Sequence, residues 1–199
     1  MIIKSYEAQK NIANFSKLNF YLLYGENFGL KKDISDIIKT AVKQKKDDVE
    51  MLSFYETEII NNEDNFFNFI YSGSLFSNKK IVTIYEATDK IIKKIDTIYN
   101  KYPENVFLII FSNVLEKKSK LRNFFEINKK TICIPCYLDS EKDLEIIAHS
   151  ELRKNNISLS REAINLVVEK SNFDRAYLKN EIDKIKSYAI NKKKLELNE

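Results

Sequence analysis

Five short apolar runs, at 18–24, 49–54, 80–86, 106–111 and 131–136, constrain this chain more than any other feature of it. They read "LNFYLLY", "VEMLSF", "KIVTIYE", "VFLIIF" and "TICIPC", and each is too short for a buried helix. The first and fourth are apolar almost throughout, the pattern of strands covered on both faces of a parallel sheet. Between the runs, apolar residues recur at helical spacing: Leu30, Ile34, Ile37, Ile38, Ala41 and Val42, then Phe66, Phe67 and Ile70 within 63–71. Ile91, Ile92, Ile95 and Ile98 mark a third helix, and Leu121, Phe124 and Phe125 a fourth. Strand and helix alternate, which predicts an α/β domain. Its five-stranded parallel sheet lies between helices joined by right-handed crossovers.

After Pro135 the texture changes. From Ser140 onward only helical patterns remain, beginning with Leu144, Ile147, Ala148 and Leu152. Ser160 reads as the N-cap of a helix carrying Ala163, Ile164, Val167 and Val168. Asp174 reads as the cap of another, with Leu178, Ile182, Ile185 and Ala189 on one stripe. The expected organisation is an α/β domain over 1–139 and a small three-helix lid domain over 140–199.

Charge narrows the functional classes only a little. The 33 basic and 29 acidic residues are interspersed, and a net charge of +4 is too slight a bias to argue nucleic-acid binding by itself. No apolar run approaches the roughly 20 residues of a membrane span, and the opening "MIIKSYEAQK" turns polar too soon for a signal peptide. Two cysteines give no disulfide framework, so a cytoplasmic protein with no membrane contact is expected.

The first strand runs into "YGENFGLKKD", which has the shape of a phosphate-binding loop. A functional loop of that kind, G-x-x-x-x-G-K-[ST], wraps phosphates in backbone amides, neutralises them with its lysine and holds magnesium through its hydroxyl. Here only Glu26, Asn27 and Phe28 separate Gly25 from Gly29. Leu30 stands at the lysine position and Lys32 or Asp33 at the hydroxyl position. Glu26 and Asp33 add negative charge where a phosphate would lie. The strand ending "FLIIFSNV" supplies no carboxylate for a metal. The strand, turn and helix are present and the catalytic apparatus is missing, so no cofactor and no catalytic residue are expected.

Four stretches in series carry a resemblance. They are "YLLYGENFGL", "SGSLFSNKKIVTIYEA" (72–87), "FLIIFSNVLEKKSKLRNFF" (107–125) and "SNFDRAYLKNEIDKIKSYA" (171–189). In this order they resemble the delta subunit of the bacterial DNA polymerase III clamp loader, across essentially the whole chain. That resemblance implies an AAA+-like first domain with a degenerate P-loop and a small helical second domain. A helical third domain that joins a collar lies outside the match. It further implies a non-catalytic subunit of a DNA polymerase (nucleotidyltransferase) holoenzyme. Its partners would be the sliding clamp and the other clamp-loader subunits, with contact to DNA through the complex.

In the family an apolar wedge enters a pocket on the clamp. The matching residues are Leu75 and Phe76, with Ser74 beside them. Even without the resemblance the stretch is unusual. Two large apolar side chains sit between Ser72, Gly73 and Ser74 on one side and Ser77, Asn78, Lys79 and Lys80 on the other. Exposed together they form a small binding hot spot; folded back they belong to the core.

Two alternatives come from the enzyme class: a P-loop ATPase with an unusual loop, and a thiol-redox α/β protein built on Cys133-Ile134-Pro135-Cys136. The second is disfavoured because the C-x-x-C closes a strand instead of opening a helix, so no helix dipole lowers a thiol pKa. A zinc site lacks ligands, His149 being the sole histidine. The basic cluster Lys117, Lys118 and Lys120 reads as a solvated helix start.

Overall fold

A computed structural model describes residues 1–11, 18–43, 48–73, 79–101 and 103–189. Contacts divide the chain into two compact units, one of Met1–Glu26 with Lys31–Cys136 and one of Asn27–Leu30 with Tyr137–Glu199.

The first unit is built on five strands: β1 (Phe20–Tyr24), β2 (Val49–Tyr55), β3 (Lys79–Tyr85), β4 (Val106–Ser112) and β5 (Thr131–Pro135). All pair in parallel, as the alternation predicts, and the structure gives their order as β2-β3-β4-β1-β5. The central strands β1 and β4 are buried along their full length, which is why their sequences do not alternate. The edge strand β2 is exposed over its middle, consistent with its mixed sequence.

The register fixes which residues share a face. Leu22 lies level with Ile110 and Cys133, so Phe20, Leu22, Tyr24, Val82, Ile84, Leu108, Ile110 and Cys133 enter one core. The helices over that face are α3 (Glu56–Asn61), α4 (Glu63–Tyr71), α5 (Ile92–Lys101) and α6 (Lys120–Ile127). They contribute Ile59, Phe66, Ile70, Ile95, Ile98, Leu121 and Phe125 to the cluster. The odd-numbered side chains Tyr21, Leu23, Ile81 and Ile109 are equally buried. The helix α2 (Phe28–Val42) supplies a separate buried stripe of Ile34, Ile38 and Val42. A short α1 (Ser5–Asn11) buries only Ala8.

The second unit holds α7 (Glu141–Lys154), α8 (Arg161–Lys170) and α9 (Arg175–Tyr188) around Leu144, Ala148, Leu152, Ile164, Val168, Leu178 and Ile182. Each helix is closed at its N-terminus by its own side-chain cap. Ser140 accepts from the Asp143 N–H, Ser160 from the Ala163 N–H, and Asp174 from those of Ala176 and Tyr177. Among the described residues no helix is long and apolar enough to cross a membrane.

Candidate functional site

In an open parallel sheet the crevice for ligands lies beyond the carboxyl ends of the strands, where the strand order reverses. Here that place is the end of β1, between β4 and β5. The chain leaves β1 through Gly25 at φ +127°, and a Cβ there would sit 2.3 Å from the Cys136 carbonyl oxygen. Only glycine fits this turn. The Gly25 N–H donates to the Asn113 carbonyl at 3.2 Å, and the Cys136 N–H to the Tyr24 carbonyl at 2.7 Å.

Lys31, one turn into α2, is the residue that sequence reading overlooked. It is only 3% exposed, and its Nζ donates to the Gly25 carbonyl at 2.8 Å and to the Ser112 carbonyl at 2.9 Å. Burial lowers its pKa, while the nearby Cys136 and Glu26 act in the opposite direction. The Ser112 hydroxyl is also committed, donating to the Ala87 carbonyl at 2.5 Å, while the Ala87 N–H donates to the Phe111 carbonyl at 2.9 Å. Strand order adds one carboxylate that inspection of β4 alone missed. Glu86 follows β3, the neighbour of β4, and is exposed at φ +56°.

In the helical unit the start of α2 is likewise closed. Asn27 Oδ1 accepts from the Leu30 N–H at 2.9 Å, and its Nδ2 donates to Asp139 at 2.7 Å and to the Tyr137 carbonyl at 3.1 Å. Asp139 in turn takes a two-point contact from Arg175, both side chains being buried. Gly29 allows the close approach of this turn to α9, since a Cβ would lie 2.8 Å from the Ala176 nitrogen.

A triphosphate needs free backbone donors, an uncommitted lysine and an acid-held metal. These residues do not fit it. Gly25 N–H, Leu30 N–H, Lys31 Nζ and the Ser112 hydroxyl are all engaged with the chain's own atoms. Among the described residues no group of three or more His, Cys, Asp or Glu is placed to hold a metal. The thiol-redox alternative fails on different grounds. Cys133 and Cys136 are both buried, and burial, first among its causes, pushes the Cys133 thiol up to about 12. A thiol raised this far is disfavoured as the thiolate that redox exchange needs at neutral pH.

The second candidate site is the connection between α4 and β3. Ser74, Leu75 and Phe76 fall within 74–78, outside the described residues, whereas Tyr71 to Gly73 and Lys79 to Lys80 on either side are described. α4 ends at Tyr71, and Ser72 caps it by donating its N–H to the Asn68 carbonyl. Lys80, the second residue of β3, is only 1% exposed. Its Nζ donates to the carbonyl of Phe69, to that of Ser72 at 2.7 Å and to the Ser72 hydroxyl at 2.9 Å. The ammonium also stands 4.8 Å from the centre of the Phe69 ring. All three of its protons are used, and the acceptors include carbonyls that the helix end leaves open.

His149 is exposed on α7, and Lys117, Lys118 and Lys120 are exposed around the start of α6, where Lys118 pairs with Glu116 at 2.8 Å. Neither group is drawn into either site.

The sequence profile of the family described as DNA polymerase III, delta subunit, matches residues 21–137. A probable DNA polymerase III subunit delta from Rickettsia prowazekii (strain Madrid E) is 26% identical over 184 residues, 92% of this chain and 54% of that protein. This chain thus spans about half the length of that curated relative. Among solved structures, the Bacillus subtilis DNA clamp loader delta protein aligns with a TM-score of 0.56 at 11% identity, covering 98% of this chain and 60% of that one. A Thermotoga maritima RuvB variant aligns with a TM-score of 0.61 at 12% identity, over 98% of this chain and 63% of that one. Domain III of the Thermotoga maritima replication initiation protein DnaA gives 0.54 at 16% identity, over 98% and 87%. At these identities the structural matches speak for the fold, which is AAA+-like.

Proposed function

Because this chain belongs to the DNA polymerase III delta-subunit family, we propose that it binds the ring-shaped sliding clamp and favours its open form, without catalysing a reaction of its own. Leu75 and Phe76, with Ser74 beside them, form the contact. Other clamp-loader subunits bind and hydrolyse the nucleotide, and DNA is met through the assembled complex in the cytoplasm. The observation that supports this reading is Lys31, whose ammonium donates to the Gly25 and Ser112 carbonyls of the chain itself.

The mechanism is a shift of equilibrium. A tip that fits the clamp better when the ring is open moves the ring toward opening by the difference in its two affinities. Burying one leucine and one phenylalanine supplies roughly 3–6 kcal/mol before ordering costs, enough to decide between binding and no binding. The combined substitution Leu75→Ala and Phe76→Ala is expected to abolish co-elution with the clamp on gel filtration while leaving the circular dichroism spectrum and melting temperature unchanged. Retained co-elution of a folded double variant contradicts the assignment of the contact.

A further inference from the structure

We propose that the cleft at the C-terminal end of α7 is a docking site for an acidic peptide segment of a partner protein, one that carries an aliphatic residue among its carboxylates. The cleft lies wholly within the helical unit and has a volume of about 870 Å³. Its floor is aliphatic. Leu152, Ile157 and Ile164, all buried in the core of that unit, reach it from α7, from the turn that follows and from α8. Its rim is cationic: His149, Arg153 and Lys154 stand exposed along the last turns of α7. Among the described residues that line the cleft none is an aspartate or a glutamate. In a chain whose 33 basic and 29 acidic residues are interspersed, such a one-sided lining is a local departure.

These cations are not needed to close the helix. The Leu152 carbonyl accepts from the N–H groups of Asn155 at 3.0 Å and Ile157 at 3.1 Å, and the Arg153 carbonyl from the Asn156 N–H at 3.0 Å. The Glu151 carbonyl accepts from the Asn155 side chain at 3.0 Å. Asn156 takes a φ of +57° to make this turn, which asparagine tolerates, and so returns Ile157 to the core. Lys154 is partly neutralised by Glu151 at 2.7 Å, but the Arg153 guanidinium meets no acid among the described residues. A guanidinium offers paired N–H donors that match a carboxylate at two points. His149, four residues earlier on the same helix face, adds a ring N–H. Carboxylates on this rim and an aliphatic side chain on the floor make a complementary fit. A nucleic-acid strand fits less well, since no aromatic ring among the described lining residues is there to stack a base.

The test is fluorescence anisotropy of labelled probes titrated with the full chain. A short fluorescein-labelled peptide of alternating aspartate and leucine is expected to bind saturably, and more weakly as salt rises. Replacing its aspartates by asparagine, or its leucines by serine, is expected to weaken binding about tenfold. Arg153→Ser combined with Lys154→Ser, both at exposed positions, is expected to leave the circular dichroism spectrum unchanged. The same pair is expected to weaken binding of the aspartate–leucine peptide about tenfold. Absence of saturable binding to the folded parent overturns the proposal, as does binding that survives the paired substitution or is matched by the aspartate–serine peptide. A labelled oligothymidylate that binds more tightly than the peptide, and is lost in the paired variant, assigns the cleft to nucleic acid and overturns it too. No clamp is present in these titrations, so this proposal and the clamp-binding reading fail separately.

Discussion

Gly25 and Gly73 show how differently two glycines of one chain are constrained. At Gly25, φ is +127° and a Cβ would meet the Cys136 carbonyl oxygen at 2.3 Å. Gly25→Ala therefore combines a disfavoured backbone with a collision against backbone atoms. It is expected to destabilise the sheet unit by about 2–4 kcal/mol in urea unfolding. Gly73 has a φ outside the left-handed region, and among the described residues nothing lies within 4 Å of a Cβ there. Gly73→Ala is expected to raise stability by about 0.4–1 kcal/mol through the entropy of the unfolded chain. Both glycines look alike in the sequence, and only the path of the neighbouring backbone separates them.

The same limit explains what was read and missed at the loop. The departures from the phosphate-binding pattern are local, so they are legible by counting residues from Gly25. The fate of Lys31 is not, because one of its two acceptors, Ser112, lies 81 residues away. Glu86 was missed for a related reason. It follows β3, and only the strand order places that strand beside β4.

At the scale of elements, long amphipathic segments and their caps were the most legible. Ser160 and Asp174 cap the helices they were expected to cap. The two helices that went unread, α1 and α3, are short, at seven and six residues, and show no extended apolar stripe. α6 has, besides its own Ser119, an anion from a distant turn. Asp89 accepts from the Leu121 N–H at 2.9 Å, the Lys120 N–H at 3.0 Å and the Ser119 hydroxyl at 2.7 Å. Burial alone raises the pKa of this carboxyl, but the three donors, helped by the charge of Lys120, outweigh it and hold the pKa below its ordinary value. A carboxylate with a depressed folded pKa contributes stability above its unfolded value, and that contribution is lost as pH falls through the folded one. Asp89→Asn is therefore expected to cost about 1–2 kcal/mol at pH 7. In urea unfolding across pH, the difference between parent and variant should stay level down to about pH 4 and shrink below it. A difference that grows on acidification contradicts the assignment. No local signal marks Asp89 as a cap, since it stands 30 residues ahead of Ser119.

At the scale of the whole molecule, the chain combines an AAA+-like sheet unit, whose loop donors are satisfied internally, with a compact three-helix unit. The parallel sheet and the change to helix were legible because hydrophobic period changes with architecture. A partner surface would have no such period: by composition the Leu75–Phe76 pair stands out only as apolar residues in a polar stretch, and its proposed role comes from the family resemblance. The proposed activity joins these observations: a protein that acts by fitting another protein, with the nucleotide chemistry located elsewhere in the complex. Calorimetric titration of the sliding clamp into this chain, once without nucleotide and once with magnesium and ATP, tests that claim most directly. Saturable binding with the same Kd in both titrations is the predicted result. Binding that is absent without nucleotide and appears when ATP is added would contradict it.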